Sequence, residues 1–195
     1  MKELVITVNE IITSGIAITA FALLLYSLAF NLRNRVAVSF SLVMACVVII
    51  NSADAIASNS ANEMMIELLL WAQWLGIIWL PAAMARFSKA LLSTTGIPYR
   101  QRYYLSTFFI SAFFTVLLFT NLLLGKITIA EAPAPHFTRN IWNILFLFYY
   151  SFVVVISLNN VYRARQRART ITTRRRTSYL LFSIVALGIG SFPYL

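Results

Sequence analysis

Long apolar runs separated by short polar breaks dominate the chain. The first run covers residues 11–30 and ends at the polar turn Asn31-Leu32-Arg33-Asn34-Arg35. The second covers 36–57. The third covers 64–85, with its helix continuing toward Leu92 until Thr95-Gly96-Ile97-Pro98 stops it. The fourth is 104–124, closed by Gly125, the fifth 141–162 and the sixth 179–195. Most are near the roughly 20 residues that carry a helix across a bilayer. Membrane strands would be about 9–11 residues of alternating polarity. Backbone groups in lipid must bond internally, so each run predicts a helix. Residues 127–138, with Pro133 and Pro135, predict a loop. The expected fold is all-α: a polytopic transmembrane helix bundle, one domain over residues 1–195, with six spans.

Composition agrees. Of 195 residues, 60% are hydrophobic and only 11% charged, against roughly 25% charged in soluble domains. Mean hydropathy is +0.79. A water-soluble fold of this size cannot hide so much apolar surface. The first run is not a signal peptide by its charge order. Lys2, offset by Glu3 and Glu10, precedes it, whereas Arg33 and Arg35 follow, the reverse of a secretory leader.

Charge then orients the bundle. The chain has 16 basic and 6 acidic residues, a net of +10. With the N-terminus outside, three loops face the cytoplasm. They carry Arg33 and Arg35; Arg86, Lys89, Arg100 and Arg102; and Arg163, Arg165, Arg167, Arg169, Arg174, Arg175 and Arg176. Only Lys2, Lys126 and Arg139 fall outside, and all six acids lie in the outer half. Basic residues collect on the cytoplasmic side, so an outside N-terminus in a bacterial plasma membrane is expected. The seven arginines between Tyr162 and Thr177 predict contact with anionic lipid, at about 1 kcal/mol for each basic residue near the surface. Nothing beyond charge points to nucleic acid. Thr173 is placed to cap the sixth helix.

Several chemistries are excluded. There is no H-E-x-x-H zinc motif. Gly188-Ile189-Gly190-Ser191 lacks the glycine after serine that a nucleophile elbow needs, and its small residues suit close helix packing. His136 is the one histidine and sits in the predicted loop. No lysine lies mid-helix to carry a retinal Schiff base. The arginines cluster in loops rather than pacing through a helix as in a voltage sensor. A transporter would show Gly/Pro breaks in corresponding halves; the chain shows one, from Gly76 to Pro81, which predicts a kink near Ile77. Cys46 is the single cysteine and forms no intrachain disulfide. No catalytic residue, metal or cofactor is expected.

One cluster stands out in the outer half. Glu63, Glu67, Trp71 and Trp74 recur at helical spacing on one face. Asn51 and Asp54 stand three apart near the end of the second run, and Arg139, Trp142 and Asn143 open the fifth. Together they form a candidate ligand pocket with acid, amide and indole walls. An interfacial aromatic belt with solvated acids is the plainer reading of the same residues.

Trp71-Ala-Gln-Trp74-Leu-Gly76-Ile-Ile-Trp-Leu-Pro81, with Thr173-Arg174-Arg175-Arg176 and then Tyr179-Leu180-Leu181, resembles the N-terminal seven-helix membrane region of bacterial sensor histidine kinases and related signalling proteins. The resemblance implies input sensing coupled to a cytoplasmic output domain. The chain departs from it in lacking a seventh helix and any kinase motif, and no residue roles carry over. The expected function is therefore that of a non-enzymatic sensory module that passes a helix shift inward. The rival is an accessory subunit of a larger membrane complex. Expected partners are the lipid bilayer, a second copy or a larger membrane complex, and an output domain of the same gene. The sixth run leads outward without a polar tail, so a seventh span is expected within about 30 residues after Leu195.

Overall fold

A computed structural model of the chain describes residues 2–30, 34–60, 62–96, 101–125, 127–128, 136–138, 140–168 and 170–190. The fold is all-helical apart from one short ladder. The helices are α1 (Lys2–Phe30), α2 (Arg35–Asn59), α3 (Glu63–Ser93), α4 (Gln101–Phe119), α5 (Ile141–Gln166) and α6 (Ile171–Gly190). Two two-residue strands, β1 (Ile127–Thr128) and β2 (His136–Phe137), pair antiparallel. They close the base of the predicted loop, whose residues 129–135 lie outside the described residues.

Local chemistry explains the helix starts. Three begin after an asparagine whose side chain accepts a backbone N–H: Asn34 from Val36, Asn62 from Met64 and Asn140 from Ile141. Asparagine is a strong N-cap because its short side chain reaches the orphan donors of the first turn. At α6 the cap is Thr170, whose Oγ1 accepts from the Thr173 N–H at 3.2 Å. The helix therefore starts before Arg174, and Thr173 is inside it rather than capping it.

Two elements end differently from the apolar runs. α4 stops at Phe119, five residues before the run does, because Asn121 takes a left-handed conformation (φ 56°). The Leu122 and Leu123 N–H groups then turn back to Leu117 O, a common way for a helix to close. α6 starts eight residues before the apolar run and carries Arg174, Arg175 and Arg176 as exposed helical residues. Hydropathy alone reads them as loop. Residues 191–195, the end of the sixth run, lie outside the described residues.

α3 is the central helix. It packs on α2, α4 and α5, while α1 packs on α2 and α6 on α5. Of its most apolar stretch 67% is buried, against 17% for α1, which sets α1 at the edge. Contact register shows the direction of each neighbour. Asp54–Gln73 and Gly76–Ile50 run α2 antiparallel to α3. Trp79–Phe108 and Trp71–Phe119 run α4 antiparallel to α3. Trp74–Phe146 and Ser88–Asn160 run α5 parallel to α3. Alternation of direction follows, as a membrane bundle with short loops requires.

Four helices are long and apolar enough to cross a membrane, α1, α2, α3 and α5, and α4 is a shorter apolar helix. Large apolar side chains cover the outside: Ile18 is 72% exposed, Phe109 66% and Phe148 70%. So many exposed large apolar side chains on a folded chain mark surfaces turned to lipid or to partner protein.

Pro81 lies inside α3 without ending it. It has no N–H for the Ile77 carbonyl, and one residue on, Ser111 of α4 donates to Ile78 O at 2.9 Å. Neighbouring hydroxyls commonly stabilise the turn that a proline loosens in an apolar bundle. The Tyr149 hydroxyl donates to Thr107 O at 2.9 Å and lies 3.1 Å from Ser111 Oγ, tying α5 to the same spot. Tyr149→Phe is expected to lower stability by about 1 kcal/mol, the usual net worth of one such bond. Thermal melting in detergent reads it; no change would show that the hydroxyl is idle.

Candidate functional site

Buried stripes on α2, α3 and α5 converge in the half of the bundle that contains the end of α2. On α2 the stripe is Val43, Val47, Ile50 and Asp54; on α3 it is Ile66, Leu70, Gln73 and Ile77; on α5 it is Asn143, Phe146, Tyr150 and Val153. Each stripe steps by three or four residues and keeps one face inward. Asp54 is 2% exposed, and Gln73 Nε2 donates to its Oδ1 at 3.3 Å across the α2–α3 interface. Asn143 is also buried, and its Oδ1 has no hydrogen-bond partner. The Trp74 ring meets Phe146 at 6.2 Å.

The structure divides the residues that sequence spacing grouped. Asp54, Trp74 and Asn143 point into the bundle. Asn51 is half-buried, and its amide donates to Val47 O of its own helix at 2.8 Å. Trp71 is half-buried and meets Phe119 at 5.8 Å, and Trp142 packs on the edge of the core. Glu63 and Glu67 are exposed. Glu67 and Trp71 each follow a stripe residue, Ile66 and Leu70, and so sit about 100° round the helix from it. Arg139 lies outside the described residues. Gln73 is the member that spacing missed. Its signal is a polar residue at an inward position of an otherwise apolar stripe, Ile66–Leu70–Gln73–Ile77.

Gly76 has a packing role. A Cβ there would stand 2.8 Å from Ile50 Cγ1 and 3.2 Å from Cys46 O, so α2 and α3 touch backbone to side chain at this level.

At the other end of the bundle a cavity of about 380 Å³ opens between the start of α2, the last turns of α3 and the start of α4. Arg35 and Ser39, Arg86 and Ser93, and Tyr104 and Leu105 line it in those three pairs. The Arg86 guanidinium lies over the Tyr104 ring at 5.6 Å, and Lys89 over Tyr103 at 5.8 Å. Sequence reading counts these cations only as signs of topology.

The basic segment is split by the α5–α6 turn. Arg163 and Arg165 stand in the last turn of α5 with Arg167 as C-cap, where cations complement the negative end of the helix dipole. Arg174, Arg175 and Arg176 crowd the positive end of α6, and Arg169 lies outside the described residues. Among the described residues no group of three His, Cys, Asp or Glu side chains is placed to hold a metal. No protein family, curated protein or solved structure matches the chain.

Proposed function

We propose that this chain is the membrane-embedded sensory module of a bacterial signalling protein, set in the plasma membrane by six crossing helices with its N-terminus outside. The carrying observation is Asp54, a carboxyl group buried in an apolar bundle and bonded to Gln73. Acidic groups at membrane depth are expensive and tend to mark function. α3 carries the partner amide and runs on from Gln73 to Ser93 at the other end, about 30 Å at the usual rise. Its packing on α2, α4 and α5 suits it to pass a small helix shift along the bundle. Embedding is supported by the exposed apolar side chains and the four long apolar helices. Orientation is supported by the thirteen of sixteen basic residues on one side. The arginines around the α5–α6 junction then meet anionic lipid, and the signal reaches a cytoplasmic output domain of the same gene.

Spin labels test the coupling without a known stimulus. Thr94 and Gln166 are exposed and, by the register of the parallel helices α3 and α5, stand at one level far from Asp54. In a Cys46→Ser background, cysteines at both positions carry the labels. Asp54→Asn is expected to move the distance between them by about 1–2 Å, the scale of signalling helix shifts. An unchanged distance distribution would show a rigid bundle and favour the accessory-subunit reading.

A further inference from the structure

We propose that the cavity between the start of α2, the end of α3 and the start of α4 binds a phosphate-bearing anion. The site is distinct from the Asp54–Gln73 pair and does not depend on the sensory reading. At about 380 Å³ it falls within the range of small-ligand pockets, roughly 300–1,000 Å³.

Its charge is one-sided. Arg35 and Arg86 both line it, and among the described residues no carboxylate pairs with either. Glu10, Asp54, Glu63 and Glu67 lie toward the opposite end of their helices. Two arginines that line one cavity without a counter-ion leave its field positive, which favours an anion there. Arginine's planar fork matches phosphate oxygens in pairs. Arg86 is held in place by the Tyr104 ring at 5.6 Å, a cation–π contact that fixes the guanidinium before a ligand arrives.

The backbone adds to this field. Arg35 is the first residue of α2, a 25-residue helix with a neutral Asn34 cap and no acid in its first turn. The positive end of its dipole is therefore uncompensated at the cavity. The two serines are not donors to a ligand, because Ser39 Oγ donates to Arg35 O at 2.8 Å and Ser93 Oγ to Ala90 O at 2.7 Å. Specificity thus rests on the two arginines and the Tyr104 phenol. Leu105, 45% exposed, forms an apolar rim beside the charged floor. A phosphate group on a lipid, with its chains along the outside of α4, and a soluble phosphate both satisfy this chemistry.

Binding to the purified full chain in nanodiscs distinguishes them. One arm titrates radiolabelled inorganic phosphate in phosphatidylcholine nanodiscs. The other uses nanodiscs of mixed phosphatidylcholine and phosphatidylglycerol and counts by native mass spectrometry the phosphatidylglycerol that the variants below release, leaving aside the lipid that the α5–α6 arginines keep in every variant. Binding in at least one arm is expected, and the responding arm names the source. Arg35→Gln with Arg86→Gln should weaken it by about tenfold or more, since charge-assisted bonds are worth at least that factor each. Leu105→Trp alters an exposed rim residue and keeps every charge, so it tests the cavity even where the arginine pair fails to fold. It should weaken binding by blocking the mouth. Absence of binding in both arms, or wild-type affinity in Leu105→Trp, overturns the proposal.

Discussion

Phe146→Ala is expected to destabilise the bundle by about 3 kcal/mol, at the low end of the range for buried phenylalanine. Phe146 is fully buried. Its ring lies edge-on to Phe114 at 5.0 Å, and within 6.1–6.2 Å of Trp74, Tyr149 and Tyr150. Those rings come from α3, α4 and α5, so a single side chain joins three helices. In lipid the gain from leaving water is largely absent, because the acyl chains are themselves apolar. The loss that remains is contact: a void where dozens of van der Waals contacts and several aromatic pairs had been. Phe148→Ala is the control. That ring is 70% exposed, and its removal should change stability by less than about 0.5 kcal/mol. Unfolding in bicelles by added denaturing detergent measures both. Equal effects at the two positions would sink the picture of a three-helix aromatic junction.

The number and order of the helices were legible in the chain because each contains one apolar run set off by polar turns. What the runs could not reveal is which side of each helix faces inward. A helix that is apolar all round has no stripe to point at the core, and α2, α4 and α5 are of this kind. The buried faces of those helices therefore emerge only from packing, whereas on α3 the inward stripe Ile66–Leu70–Gln73–Ile77 leaves Glu67 and Trp71 just outside it and Gln73 inside. The ends were obscured for a second reason. Hydropathy follows solvent preference, whereas helices end where backbone geometry changes. Asn121 ends α4 within an apolar run, and Thr170 starts α6 within a basic one.

The candidate site was partly legible for the same physical reason. Asp54 is conspicuous as an acid in an apolar stretch, but its partner is an uncharged amide on the next helix. The cavity at the other end was hidden by a competing explanation. In the sequence Arg35 and Arg86 already read as signs of an expected orientation, and nothing in their spacing shows that α2, α3 and α4 bring them to one hollow. Non-local placement of that kind is a property of the fold and not of any segment.

Gly76→Ala is expected to destabilise by about 1–3 kcal/mol, the usual range for overpacking a tight interior. Two effects oppose each other here. Alanine is the better helix former by about 1 kcal/mol, so at an open position the change would stabilise α3. At Gly76 the new methyl would sit 2.8 Å from Ile50 Cγ1 and 3.2 Å from the Cys46 carbonyl. The side chain of Ile50 can shift, but Cys46 O belongs to the backbone of α2, so relief requires the two helices to separate. That separation would loosen the α2–α3 seam, including the 3.3 Å Gln73–Asp54 bond one turn away. Packing strain should therefore outweigh propensity, and Gly76→Val should be worse than alanine. Adding Ile50→Ala removes the nearer obstacle and should recover part of the loss, giving a coupling of about 0.5–3 kcal/mol between neighbours in a double-mutant cycle. The alternative role for this glycine is freedom at a bend with Pro81. Under that role Gly76→Ala would be neutral or stabilising and would show no coupling to Ile50, so the sign of one melting shift decides between a hinge and a helix contact.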